Sequence, residues 1–289
     1  MLPVIFSIGS FHLFSFSVLL IIAWAVWSFY FWRYLRSLAI LDEPVFDAMF
    51  YSTLVALFFA RVFFVILNFS LFSENLLRVV ALWVQPGLSL YGAIFGALLT
   101  YMVLSIKHKM RFAYLLDAFT LSFPIAYIIG SIGSFLDGSV VGKTANLPWA
   151  VHYIGAVGSR HPVQIYELFY CSLLLLGLLI FQRHLSKHYP TYHGRTFVLF
   201  LTFFSLGSFV LEFFKQSPVY FAYLSPEQWI CVLLFGESLG IFFVKYKGTR
   251  HIMAIVKWIV ALARRVYEKV GGYYDCTRQR IRDRYEKTS

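Results

Sequence analysis

Two polar stretches interrupt apolar runs of this chain: Arg160-His161-Pro162-Val163-Gln164-Ile165-Tyr166-Glu167 and Glu212-Phe213-Phe214-Lys215-Gln216. Pro162 suits the first turn of a helix, where its missing N–H is no loss. From there the spacing sets His161, Gln164, Glu167 and Cys171 along one helical face. Capping alone does not require a base, an amide and an acid on one stripe. Such a set can hold an anion, orient a cation or move a proton.

Arg61 lies about mid-way through a third apolar run, where an ionisable group costs roughly 2.5–3.5 kcal/mol and needs a partner or a task. It reads either as a buried ion pair fixing helix packing or as a fixed cation for a lipid phosphate, which a bidentate guanidinium suits. Glu237, between Gly236 and Gly240, is the simplest partner for it. Asp117, at the start of a further run, reads as an ordinary acid near a helix N-terminus.

The elements that must position these groups follow from composition. Of 289 residues, 60% are apolar and 13% charged, about half the charged share of a soluble domain. That excludes a cytosolic, secreted or disordered protein. Seven apolar runs approach the roughly 20 residues needed to cross a bilayer, over about 13–32, 46–69, 88–106, 113–136, 164–182, 196–214 and 228–244. None alternates like a strand, and helices satisfy their own backbone in hydrocarbon. The fold class is therefore all-α, a polytopic membrane bundle of seven transmembrane helices.

Orientation follows from the basic residues. Eight Lys and Arg fall in the first, third and fifth connections, four in the second, fourth and sixth, and twelve from Lys245 onward. The positive-inside rule then puts the N-terminus outside and the C-terminus in the cytoplasm. Residues 1–245 form the membrane domain. Residues 246–289 form a basic tail whose Ile252, Ile255, Val256, Ile259 and Leu262 alternate with Lys257, Arg264, Arg265 and Lys269. That pattern fits an interfacial helix on anionic lipid, and the basic excess does not call for nucleic acid.

Cys171, Cys231 and Cys276 share no metal-type spacing, so neither a metal site nor a disulfide framework is read. The N-terminus lacks a signal-peptide pattern, and the first run should remain a membrane helix. The connection over about 137–163 is long and aromatic, either a substrate platform or a plain connector. No internal repeat supports an inverted-repeat transporter.

The segment His161-Pro162-Val163-Gln164-Ile165-Tyr166-Glu167 closely resembles the His-Pro-Ser/Thr-Gln-Leu-Tyr-Glu motif of the prolipoprotein diacylglyceryl transferases. Other segments resemble that family in the same order over about residues 3–245. Val4–Gly9 is similar to its N-terminal strand, Ala60-Arg61 to its Gly-Arg, and Leu90-Tyr91-Gly92-Ala93 to its aromatic-His-Gly-Gly. Gly130–Phe135 stands where the family has Gly-Arg-x-Gly-Asn-Phe. Glu212–Gln216 resembles Glu-Phe-Phe-Arg-Gln, and Gln228 a Gln that opens the last span.

The resemblance implies a bacterial inner-membrane enzyme of lipoprotein biosynthesis that uses no cofactor. Its substrates would be phosphatidylglycerol and a prolipoprotein bearing a lipobox cysteine. The diacylglyceryl group would pass to that thiol, forming a thioether and releasing glycerol phosphate. It implies catalytic roles for Tyr91 and Arg61, phosphate or lipid contacts from Lys143, Lys215, Ser131, Ser134 and Glu212, and support from His161, Gln164, Tyr166 and Glu167. The chain departs from the motifs at Tyr91 for His, Ser131 for Arg, Ser134 for Asn, Ser208 for Arg and Phe16 for Tyr. A transferase-fold protein that binds lipid or a membrane partner without transfer is the alternative.

Overall fold

The computed structural model describes residues 3–8, 11–73, 75–81, 84–188, 193–219 and 221–246. It divides into two units, Met1–Leu239 and Gly240–Ser289. The functional residues considered below all lie in the first. Beyond 246 the basic tail and its expected interfacial helix lie outside the described residues.

Among the described residues, seven helices long and apolar enough to cross a membrane follow one another: α1 (Ser15–Ser37), α2 (Asp42–Leu67), α3 (Leu90–Lys107), α4 (Phe112–Asp137), α5 (Val163–His188), α6 (Arg195–Glu212) and α7 (Pro226–Tyr246). The expected seven spans are present. The first starts two residues later than its apolar run because β1 (Val4–Ile8) and β2 (Phe11–Phe14) pair as an antiparallel hairpin. Its end extends five residues to Ser37, where Arg36 pairs with Asp42 across a tight turn.

The end of the bundle at which α1, α3 and α5 begin is called upper here. It carries the long connection with β3 (Val151–His152) and β4 (Ser159–Arg160), also paired antiparallel. The lower end has short turns over 38–41 and 108–111.

Helix pairing decides the architecture. α1 packs chiefly on α4, and α2 on α3. The second pair meets through Gly92 and Gly96, one turn apart on α3. A Cβ at Gly92 would stand 2.4 Å from the Phe59 carbonyl oxygen, and one at Gly96 2.6 Å from that of Val55. This is the small-residue packing that holds helices together where lipid removes the hydrophobic drive between them. The lower core is aromatic: Phe31 stacks on Tyr101 at 5.5 Å, and Phe119 on Phe123 at 4.8 Å.

Asp117 acts on another helix than its own. Buried in the second turn of α4, it accepts from the Gly194 N–H at 2.8 Å, where α6 begins, with His193 Nδ1 at 3.6 Å. A carboxylate there satisfies an orphan donor and complements the helix dipole. It thereby ties α4 to α6 below the site.

The glycine packing is testable within the protein. Gly96→Val should lower stability by about 3 kcal/mol in thermal unfolding of the detergent-solubilised chain. Gly177→Val, whose Cβ meets nothing within 4 Å, should stay within about 0.5 kcal/mol.

Candidate active site

The two polar stretches meet at the upper end through a third segment. Residues 141–143 run between them: the Lys143 N–H donates to the Phe214 carbonyl at 2.8 Å, and Gln216 N–H to Val141 at 3.0 Å. On the other side His161 N–H donates to the Lys143 carbonyl at 3.0 Å. Only glycine fits at Gly142, where a Cβ would lie 2.2 Å from the His161 carbonyl oxygen. Arg160 adds bonds from one guanidinium nitrogen to the Gly142 carbonyl at 3.1 Å and Gln216 Oε1 at 2.6 Å.

The motif residues of α5 divide into two sets. Gln164, fully buried, donates to the Val140 carbonyl at 2.7 Å and accepts from the Tyr153 hydroxyl at 2.8 Å. Burial pushes the Tyr153 phenol up to about 12, so it stays a donor. His161 Nδ1 lies 3.2 Å from the Tyr166 hydroxyl, which also accepts from Trp149 Nε1 at 2.9 Å, and both rings pack on Phe214. These residues fasten the long connection to the start of α5. Glu167 alone turns to the second motif.

There Lys215 is held between two acids. Its Nζ is 2.9 Å from Glu167 Oε1 and 3.2 Å from Glu212 Oε2. The other Glu212 oxygen accepts from Ser217 and, at 3.4 Å, from Ser225. Burial disfavours the ammonium, but Glu167 and Glu212 outweigh it and hold the Lys215 pKa above 10.5. Because the folded value is raised, the pairing contributes fully below the ordinary lysine pKa and is lost only as pH rises above it. Glu227, in the first turn of α7, lies within electrostatic reach of Glu212, Lys215 and Glu167.

Two tyrosines border this cluster. Tyr91, buried in the first turn of α3, has its hydroxyl 3.0 Å from Cys231 Sγ on α7. Tyr127 on α4 lies within electrostatic reach of Glu167. The sequence does not mark Tyr127, Glu227, Ser217 or Ser225, and it offers Cys231 only as a cysteine without metal-type spacing. A tyrosine in an aromatic-rich span and an acid in a helix's first turn are both commonplace, so nothing local marks them.

Other expected site residues are placed differently. Arg61 is buried, and its three nitrogens donate to backbone carbonyls: Nε to Val79 at 2.8 Å, Nη2 to Arg78 at 2.8 Å and Nη1 to Gly87 at 3.0 Å. Phe64 and Phe72 flank the guanidinium. Arg61 thus holds the connection after α2, and carbonyls take the place of the expected Glu237, which is exposed on α7. Lys143 joins the clamp through its backbone while its side chain is exposed. Ser131 is buried in α4, and the Ser134 hydroxyl shares a 2.9 Å bond with Ser139. Among the described residues no group of three His, Cys, Asp or Glu forms a metal site.

Chemically, the cluster offers one ammonium braced by carboxylates beside a phenol and a thiol. An ammonium has three donors, so two carboxylate contacts leave one for a further anion. Lys215→Met should lower stability by about 3 kcal/mol, since it strips two buried carboxylates of their counter-charge. Lys215→Arg should recover most of that loss in the same thermal unfolding measurement.

The chain matches the family model for prolipoprotein diacylglyceryl transferase over residues 3–244. It is 28% identical over 233 residues to the phosphatidylglycerol–prolipoprotein diacylglyceryl transferase of Wolbachia pipientis, covering 77% of this chain and 85% of the relative. Proteins of the same name from Wolinella succinogenes and Campylobacter jejuni are each 30% identical. They match over 138 residues (48% of each chain) and 177 residues (61% of this chain, 56% of the relative). The chain spans about half the length of these last two. With its motifs gathered at one end of a seven-helix bundle and the family match running over nearly the whole sequence, the protein belongs to the prolipoprotein diacylglyceryl transferase family.

Proposed function

We propose that this multi-pass membrane protein transfers the diacylglyceryl group of phosphatidylglycerol to the cysteine thiol of a prolipoprotein lipobox. The thiol sulfur attacks the glyceryl carbon as its proton passes to a phosphate oxygen of the leaving group, and a carbon–sulfur bond forms. The carbon–oxygen bond to phosphate breaks, and glycerol phosphate leaves with the electron pair. The upper end of the bundle then faces outward across a bacterial inner membrane, and the basic tail rests on anionic lipid.

The observation that carries this reading is Lys215 braced between Glu167 and Glu212, where the two family motifs converge. Negative charge develops on the phosphate oxygen as the bond breaks, and a fixed ammonium in a dry site stabilises it. The third donor of Lys215 is assigned to that oxygen, and the carboxylates fix the ammonium's position. Tyr91, beside Cys231, is assigned to orient the incoming thiol, since an ordinary phenol with pKa near 10 is a weak base at neutral pH. Ser131 and Ser134 supply neutral donors where the family motif has Arg and Asn. Arg61 contributes by holding the connection over 68–89, and Lys143 by charge at the mouth.

The test is transfer in vitro from phosphatidylglycerol vesicles to a synthetic lipobox peptide, read by mass spectrometry. A diacylglyceryl increment on the peptide cysteine is expected, falling by about a hundredfold or more in Lys215→Ala. No increment, while a known family transferase works in parallel, would overturn transfer and leave lipid or partner binding without chemistry.

A further inference from the structure

The pairing of α1 with α4 and of α2 with α3 leaves a cleft of about 320 Å³ between the two pairs. Its floor is buried: Ala23, Ser52, Ile94, Ala97 and Phe119. Its rim is exposed: Leu20, Trp24 and Leu57. The cleft therefore opens sideways, from helices whose outer faces meet lipid.

The walls ask for an apolar occupant. The Ser52 and Thr53 hydroxyls both donate back to the Met49 carbonyl, at 3.2 and 2.8 Å, and Trp24 Nε1 donates to Thr53 Oγ1 at 3.0 Å. That last bond bridges α1 and α2 across the mouth. A helix, about 10–12 Å wide with its side chains, cannot pass between helices so joined, whereas a thin flexible chain can.

Length and ends narrow the choice further. From Phe119 to Gly130 the cleft follows twelve residues of α4, whose eleven rises span about 16 Å. One leaflet of the hydrocarbon core is about 15 Å deep. At the upper end Tyr127, within electrostatic reach of Glu167, forms part of the wall, and Leu90 adjoins Tyr91, whose hydroxyl lies 3.0 Å from Cys231 Sγ. The apolar cleft thus runs into the polar cluster, as a lipid tail runs into its head. At the lower end Trp27 packs on Phe31 at 5.2 Å, and Phe31 on Tyr101, closing the base.

We propose that this cleft binds one acyl chain of the membrane lipid whose headgroup meets the Lys215 cluster, and that its closed base selects chain length. The headgroup assignment rests on the transferase reading; the groove and its length limit do not. Ala97 and Trp27 are the specificity-determining residues. A longer side chain at Ala97 shortens the groove, and a smaller one at Trp27 lengthens it.

The experiment uses the full chain in mild detergent, mixed with equal amounts of phosphatidylglycerols carrying myristoyl, palmitoyl or stearoyl chains. Native mass spectrometry reads the retained lipid. Ala97→Phe should raise the myristoyl-to-stearoyl ratio about tenfold over the unaltered protein, the scale of an overpacked methylene or two. Trp27→Ala should move the ratio the other way, which a general folding defect does not do. If Ala97→Phe does not fold, the Trp27→Ala shift alone decides. An unchanged profile, or retention of detergent or lipobox peptide in place of lipid, overturns the groove. Transfer measured in parallel separates the two readings. A shifted profile without transfer keeps the groove and sinks transferase activity; transfer with an unshifted profile does the reverse.

Discussion

A bare ammonium buried away from water is costly, and Lys215 is the point at which this protein answers that cost. Two acids from different helices converge on it, Glu167 from α5 and Glu212 from α6. Desolvated charges are tolerated when their counter-charge is fixed and their remaining lone pairs are satisfied. Ser217 and Ser225 meet that second condition at Glu212. The position of α5 relative to α6, the entry into α7 and the location of the site all depend on this one pairing.

Around it the upper end is built from backbone contacts. The 141–143 segment lies between the segments flanking His161 and Lys215 and bonds to both. Gln164, Tyr153, Trp149 and Tyr166 hold the long connection against the start of α5. Most of the residues that make the motif recognisable therefore hold the connection, and Glu167 alone turns to Lys215. Arg61 follows the same principle further round the bundle. Its donors satisfy three carbonyls that would otherwise be stranded near apolar surroundings.

The apolar counterpart of this cluster is a consequence of helix pairing. Gly92 and Gly96 draw α3 against α2, α1 lies on α4, and the gap between the pairs is lined by aromatic and aliphatic side chains with alanines among them. Tyr127 belongs to both regions, lining the apolar wall within electrostatic reach of Glu167. An apolar cleft and a charged cluster thus adjoin at the upper end.

The amino-acid sequence determined the seven spans, because length and apolar content are local properties and hydrocarbon admits little but helices. It also marked the His161–Glu167 and Glu212–Gln216 stretches, since polar residues in such runs stand out one by one. Partners were another matter. Arg61 and Glu237 looked complementary as charges, yet Arg61 bonds to carbonyls of a connection whose path no periodicity encodes. Asp117 read as a local helix-start acid and instead caps α6, seventy-seven residues away in sequence. Tyr127, Glu227 and Cys231 gained significance only when α4 and α7 came beside Glu167 and Tyr91. Burial in a membrane dictates that every polar group find a partner, and only the packing of distant helices decides which one.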